Sequence, residues 1–252
     1  MKKPIIASNW KLYKNREEAL DFLEQLAAGV DAEDLSENFL FFPPAMHIGI
    51  FSLVDFGSDF NFGPQNIYSQ IEGAFTGENS VTTAKSYGAK YALVGHSERR
   101  QLFAETNETC NQKLKLCLSE EVTPVYCIGE TLAERQANKT LNVLEEQLEK
   151  GLAQLQIKPK NIMIAYEPVW AIGTGKVATS TQAGEAHDFV RSWLTKKFGE
   201  TTAKSTPILY GGSVKPENSA ELSEQKNIDG FLIGSASLKV ESLIGIYQNA
   251  QS

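Results

Sequence analysis

Eight short, nearly unbroken apolar runs recur along this chain: Ile5–Ala7, Phe39–Phe42, Phe60–Phe62, Tyr91–Val94, Val125–Ile128, Ile162–Tyr166, Ile208–Tyr210 and Phe231–Ile233. Each is about 3–5 residues long, as expected of strands buried on both faces of a parallel sheet. Helix-period patterns lie between most of them. Ala19, Phe22, Leu23, Leu26 and Ala27 repeat on one helical face, as do Cys110, Leu114, Cys117 and Leu118, and Leu141, Leu144, Leu148, Leu152 and Leu155. Asn15 with Glu18, Thr131 with Glu134, and Thr179 with Gln182 each place an N-cap three residues before Glu or Gln. Gly29 and Gly199 fall where two of these helices should stop.

Strand–helix alternation over eight units, with no composition break or low-complexity linker, predicts one α/β domain across residues 1–252. The strands are spaced roughly 20–45 residues apart, the size of a βα unit. A closed (β/α)8 barrel fits that arithmetic; a doubly wound open sheet is the alternative, and spacing alone leaves closure open. In either architecture the functional residues belong just past the carboxyl ends of the strands.

Charge narrows the partners. Lys and Arg number 24 against 31 Asp and Glu, a net charge of −7, with no basic block. Nucleic acid and anionic membrane surfaces are therefore poor partners, and an anionic substrate must be caught by local donors. Cys110, Cys117 and Cys127 are an odd count without a Cys-x-x-Cys, which suits reduced thiols in a cytoplasmic protein. No signal peptide or membrane span is expected: Ser8, Asn9 and Lys11 interrupt the first apolar stretch, and Pro43, Pro44 and His47 break the richest one.

The strand ends carry the chemistry. Ser8-Asn9-Trp10-Lys11 follows the first strand, and a Lys emerging there could serve an anion site or be an ordinary surface residue. Gly95-His96-Ser97-Glu98-Arg99-Arg100 follows the fourth, with His96 where the next helix begins. A helix N-terminus disfavours imidazolium, so His96 could be a neutral hydrogen-bond donor; a packed histidine is the alternative, stronger still for His47 and His187. No His-x-His or acidic cluster accompanies it, so no metal site is expected.

Glu167 ends the sixth strand beside Pro168 and Trp170. Desolvation there would make its carboxylate a better base; a structural ion pair with Arg99 or Lys11 is the alternative. The following loop has two glycines, Gly173 and Gly175, framed by Pro168-Val169-Trp170 and Lys176-Val177-Ala178, the composition of a lid between hinges. It fails as a Walker A loop, and its match to G-x-G-x-x-A lacks the acidic residue of a dinucleotide fold. Gly211-Gly212-Ser213 and Gly234-Ser235-Ala236 follow the last two strands, the phosphate position of (β/α)8 barrels. Glycines that only turn tight corners would look the same. Together these residues suit proton abstraction next to a carbonyl in a small phosphorylated substrate.

Four segments carry a family resemblance: Asn9-Trp10-Lys11, Gly95 to Arg100, Tyr166 to Lys176, and Tyr210-Gly211-Gly212-Ser213-Val214. In that order they resemble the signatures of the triosephosphate isomerase family, and the resemblance runs from about Ile5 to the last helix. It implies a single closed (β/α)8 TIM barrel. It also implies interconversion of dihydroxyacetone phosphate and D-glyceraldehyde 3-phosphate through an enediolate, a step of glycolysis and gluconeogenesis. A carboxylate base with a neutral imidazole and a closing loop comes with the resemblance. Glu167 would shuttle the proton, His96 would polarise the oxygens, and Lys11, with Asn9 nearby, would stabilise negative charge. Backbone amides of Gly173, Ser213, Gly234 and Ser235 would hold the phosphate. No cofactor is expected. A homodimer is implied, with the loop Gln65 to Glu78, especially Thr76, reaching into the partner's site. Ser8 and Ser235 depart from the pattern, which usually has Gly at both positions.

Overall fold

The computed structural model describes residues 3–53, 55, 57, 59–172 and 177–251. Eight parallel strands form one sheet: β1 Ile5–Asn9, β2 Phe39–Phe42, β3 Asn61–Phe62, β4 Tyr91–Val94, β5 Thr123–Ile128, β6 Met163–Tyr166, β7 Ile208–Tyr210 and β8 Gly230–Ile233. β1 pairs with both β2 and β8, and the ladder then runs through β7, β6 and β5 to β4. The remaining gap is bridged by backbone bonds from Lys90 N–H to Phe62 O (3.1 Å) and from Leu93 N–H to Pro64 O (3.0 Å). A doubly wound sheet would leave two edges there, so these bonds decide for the closed (β/α)8 barrel.

Side-chain alternation sorts the core into two layers. Ala7, Leu40, Phe42, Leu93, Val125, Cys127, Ala165, Leu209 and Leu232 fill the barrel interior. Their neighbours along each strand, Ile6, Phe41, Val94, Tyr126, Ile164, Ile208 and Phe231, face the surrounding helices. Cys110, Cys117 and Cys127 are all free thiols buried in these layers, and desolvation pushes Cys110 and Cys117 up to about 12.

The three capping signals all form reciprocal capping boxes, starting the helices Arg16–Gly29, Leu132–Gln136 and Ser180–Phe198. Gly199 ends the last of these at φ +83°, as a glycine cap should. Gly29 is different: it is the final residue of its helix, capped by extended Val30. The helix stops at this glycine as expected, and a Cβ there would also meet Ile244 Cδ1 at 2.8 Å, so the position is closely packed as well. Among the described residues no helix is long and apolar enough to cross a membrane.

Candidate active site

Closing the barrel brings the carboxyl ends of five strands around one cavity of ≈ 200 Å³, lined by Asn9, Lys11, His96, Glu167, Ser213, Gly234 and Ser235 among others. Gly173 lies outside the described residues. Every other site residue expected from the sequence meets here, although they come from segments as far apart as Asn9 and Ser235.

Glu167 is the most constrained of them. It leaves β6 2% exposed, its N–H donating to Ile128 O at 2.7 Å. A Cβ on Gly211 would lie 2.8 Å from Glu167 Cγ, and one on Gly129 would lie 1.7 Å from its carbonyl oxygen. Glycine at these two positions lets β5 and β7 close on the acid. The carboxylate is aimed by two donors: Ser97 N–H reaches Oε2 at 2.8 Å, and His96 Nε2 lies 3.0 Å from Oε1. The alternative ion pairs are absent, since Arg99 binds Glu105 and Lys11 binds Glu98.

His96 is the N-cap of the helix Ser97–Leu102, and its Nδ1 accepts from Glu98 N–H at 3.3 Å. A ring nitrogen that accepts carries no proton, so the hydrogen resides on Nε2, facing Glu167. Burial pushes the His96 pKa down, but the charge and hydrogen bond of Glu167, aided by Glu98, outweigh it, and the net direction is upward. The helix start disfavours an imidazolium; the opposing carboxylate, from another strand, favours one, and that influence had no local signal in the sequence.

Lys11 is held at both ends. Its backbone has φ +51°, with its N–H on Asn9 Oδ1 (3.0 Å) and its carbonyl accepting from Gln65 Nε2 (2.7 Å). Its Nζ donates to Glu98 Oε1 at 2.6 Å. Glu98 and Gln65 were not assigned these tasks from sequence, and no local signal marks them. Glu130 was also missed. Wholly buried, it accepts from Trp170 Nε1 (2.8 Å) and Tyr166 Oη (3.1 Å) and pairs with Arg135 (3.0 Å). That cluster anchors the near end of the segment expected to be a lid.

Across the cavity, Gly234 precedes a single 3₁₀ turn, Ser235–Leu238, whose first N–H groups have no partner within the turn. Amides at the start of such a turn, beside an ammonium, suit an anion.

The model of the family described as triosephosphate isomerase matches residues 4–250 of this chain. The chain belongs to the triosephosphate isomerase family. It is 45% identical over 254 residues to the triosephosphate isomerase of Citrifermentans bemidjiense, covering all of both chains. Against that of Endomicrobium trichonymphae it is 44% identical over 245 residues, 96% of each chain. A third triosephosphate isomerase, from Carboxydothermus hydrogenoformans, is 45% identical over 257 residues, covering 99% of this chain and all of its own. Family membership and barrel architecture therefore agree, and both place the strand ends where the family's chemistry would be sought.

Proposed function

We propose that this chain is a triose-phosphate isomerase, interconverting dihydroxyacetone phosphate and D-glyceraldehyde 3-phosphate. The observation that carries the reading is the buried Glu167–His96 pair, opening on the same cavity as Lys11 and the Gly234-Ser235 turn. The substrate phosphate is held by the amides of Ser213, Gly234 and Ser235, with Gly173 completing the cradle and Asn9 and Lys11 beside it. This leaves the carbonyl carbon and its neighbour over Glu167. The carboxylate exchanges its His96 contact for the substrate and takes a proton from the carbon next to the carbonyl. As that C–H bond breaks, its electron pair forms the carbon–carbon double bond of the enediolate. His96 Nε2–H and the Lys11 ammonium meet the charge that moves onto oxygen. Glu167 then returns the proton to the adjacent carbon, while the hydroxyl proton crosses from one oxygen to the other through His96 Nε2, so that carbonyl and hydroxyl exchange places. No step calls on a cofactor, and a small cavity favours a triose over a dinucleotide.

The same reading takes residues 1–252 as one catalytic domain acting in the cytoplasm as a homodimer. Leu12 and Met46, each 94% exposed, with Phe75, Leu102 and Phe103, support apolar self-association beside the loop Gln65 to Glu78, with Thr76 directed to the partner's site. A coupled assay with glyceraldehyde 3-phosphate tests the activity, with Glu167→Gln as control. Turnover that survives this substitution would refute the mechanism, and none in the original chain would refute the function.

A further inference from the structure

One lysine of the loop after β1 has no part in the chemistry above. Lys14 follows Lys11 by three residues, with φ +72°. Its Nζ donates to Leu238 O at 3.1 Å and lies 4.3 Å from the Phe22 ring centroid and 5.3 Å from that of Trp10. Glu18 and Asp21 act on it only through longer-range charge, and partial burial pushes its pKa down. An ammonium spent on a carbonyl and two ring faces gains from a charge-assisted hydrogen bond and from cation–π attraction. Such an arrangement fixes its position more narrowly than a solvated lysine would be fixed.

The carbonyl it chooses is informative. Leu238 closes the 3₁₀ turn Ser235–Leu238, whose opening residues line the cavity. The carbonyl of Lys14 in turn accepts from His47 Nε2 at 2.8 Å. One residue thus joins the loops that follow β1, β2 and β8. On the cavity side the first and last of these already touch: a Cβ on Gly234 would lie 3.1 Å from Lys11 Cε. Lys14 ties the rear of the same two loops.

We propose that Lys14 is a positioning residue that holds the 234–238 turn in register with the loop carrying Lys11, so that amides and ammonium converge on one phosphate. The proposal rests on the phosphate-binding part of the functional reading. It predicts an effect on ground-state binding rather than on proton transfer, because the phosphate is remote from the reacting carbons.

Lys14→Met keeps the apolar stem and removes both the donor and the charge. Its affinity for inorganic phosphate, measured by calorimetric titration, should fall on the order of 10-fold. KM for glyceraldehyde 3-phosphate should rise by a similar factor while kcat stays within about twofold. Lys14→Arg, which can still donate and stack, should recover most of the loss. Should Lys14→Met fail to fold, Lys14→Gln carries the same measurements with a shorter donor. Unchanged phosphate affinity and KM overturn the proposal even if the melting temperature drops, as does a loss confined to kcat. An original chain that shows no saturable phosphate binding overturns it too. A chain that binds phosphate but does not isomerise the triose refutes the activity while leaving the Lys14 comparison intact.

Discussion

Two imidazoles are withdrawn from water in this molecule, and their surroundings drive them in opposite directions. His96, 6% exposed at the rim, faces Glu167, and its pKa is raised. His187 is wholly buried in the helix Ser180–Phe198, in edge contact with Tyr166 and close to Tyr210, and burial lowers it to about 4. Their tautomers are opposed as well. His187 Nδ1 lies 3.0 Å from the Asn227 carbonyl and must donate, while its Nε2 has no partner among the described residues. His96 accepts at Nδ1 and presents Nε2–H to a carboxylate. Burial is common to both; what differs is whether a charge waits for the added proton. A histidine becomes useful for proton chemistry only in the first setting.

The strongest way to break that contrast is Glu167→Gln. General-base catalysis is worth about 10²–10⁴-fold, and kcat should fall by that order with the fold retained. The same substitution removes the charge holding His96 up, so its NMR titration midpoint should move down. A midpoint that stays put would mean that Glu167 does not govern His96.

His96→Gln comes next. Losing one preorganised donor at a developing oxyanion costs about 10²–10³-fold in kcat. Binding of a phosphate-bearing inhibitor should change little, since the proposed phosphate amides belong to the loops after other strands than the one that carries His96. An equal loss in both would assign His96 to binding instead.

At His187 the effect is on stability. Its folded value of about 4 lies below the unfolded value near 6.5, so the unfolded chain takes up the proton first and stability falls as pH drops through that window. The loss attributable to this group between pH 7 and 5 is roughly 2 kcal/mol, approaching ~3 kcal/mol near pH 4. His96, raised instead, contributes stability below pH 6.5 that fades as pH rises through its folded value. Urea unfolding of His187→Gln at both pH values checks the sign: its pH dependence should be shallower than that of the original chain. An unchanged slope would show that His187 takes no part.

The smallest change tests the cost of an unpartnered polar atom. Ser8 is fully buried, and its hydroxyl finds no hydrogen-bond partner among the described residues. Ser8→Ala should raise stability by about 1 kcal/mol with kcat unaffected, read as a higher melting temperature. A lower melting temperature would mean the hydroxyl is satisfied after all.

How much of this could be read in the sequence follows from the range of the forces involved. The limits of β2, β4 and β7 match their apolar runs, because a strand buried on both faces has no polar residue to blur its ends. Caps were equally visible, being three-residue interactions. The cap at Thr106 escaped only because its reciprocal partner is Thr109 rather than Glu or Gln. Within the site, residue types at strand ends were legible, whereas their couplings were not. Glu98 meets Lys11 across 87 positions and Gln65 meets it across 54, separations that only barrel closure abolishes. Gly29 ends its helix where expected, but its packing against Ile244 of the last helix was hidden for the same reason.

The three buried thiols have a practical consequence. Cys110 and Cys117 sit on the helix Asn107–Ser119 and Cys127 on the adjoining β5, so one sector of the barrel holds all three thiols of the chain. Out of solvent and with their pKa values raised, they are silent toward an alkylating reagent while that sector stays shut. Labelling therefore proceeds only through opening of this sector. The chain carries a built-in clock for its local unfolding, one that needs no added probe.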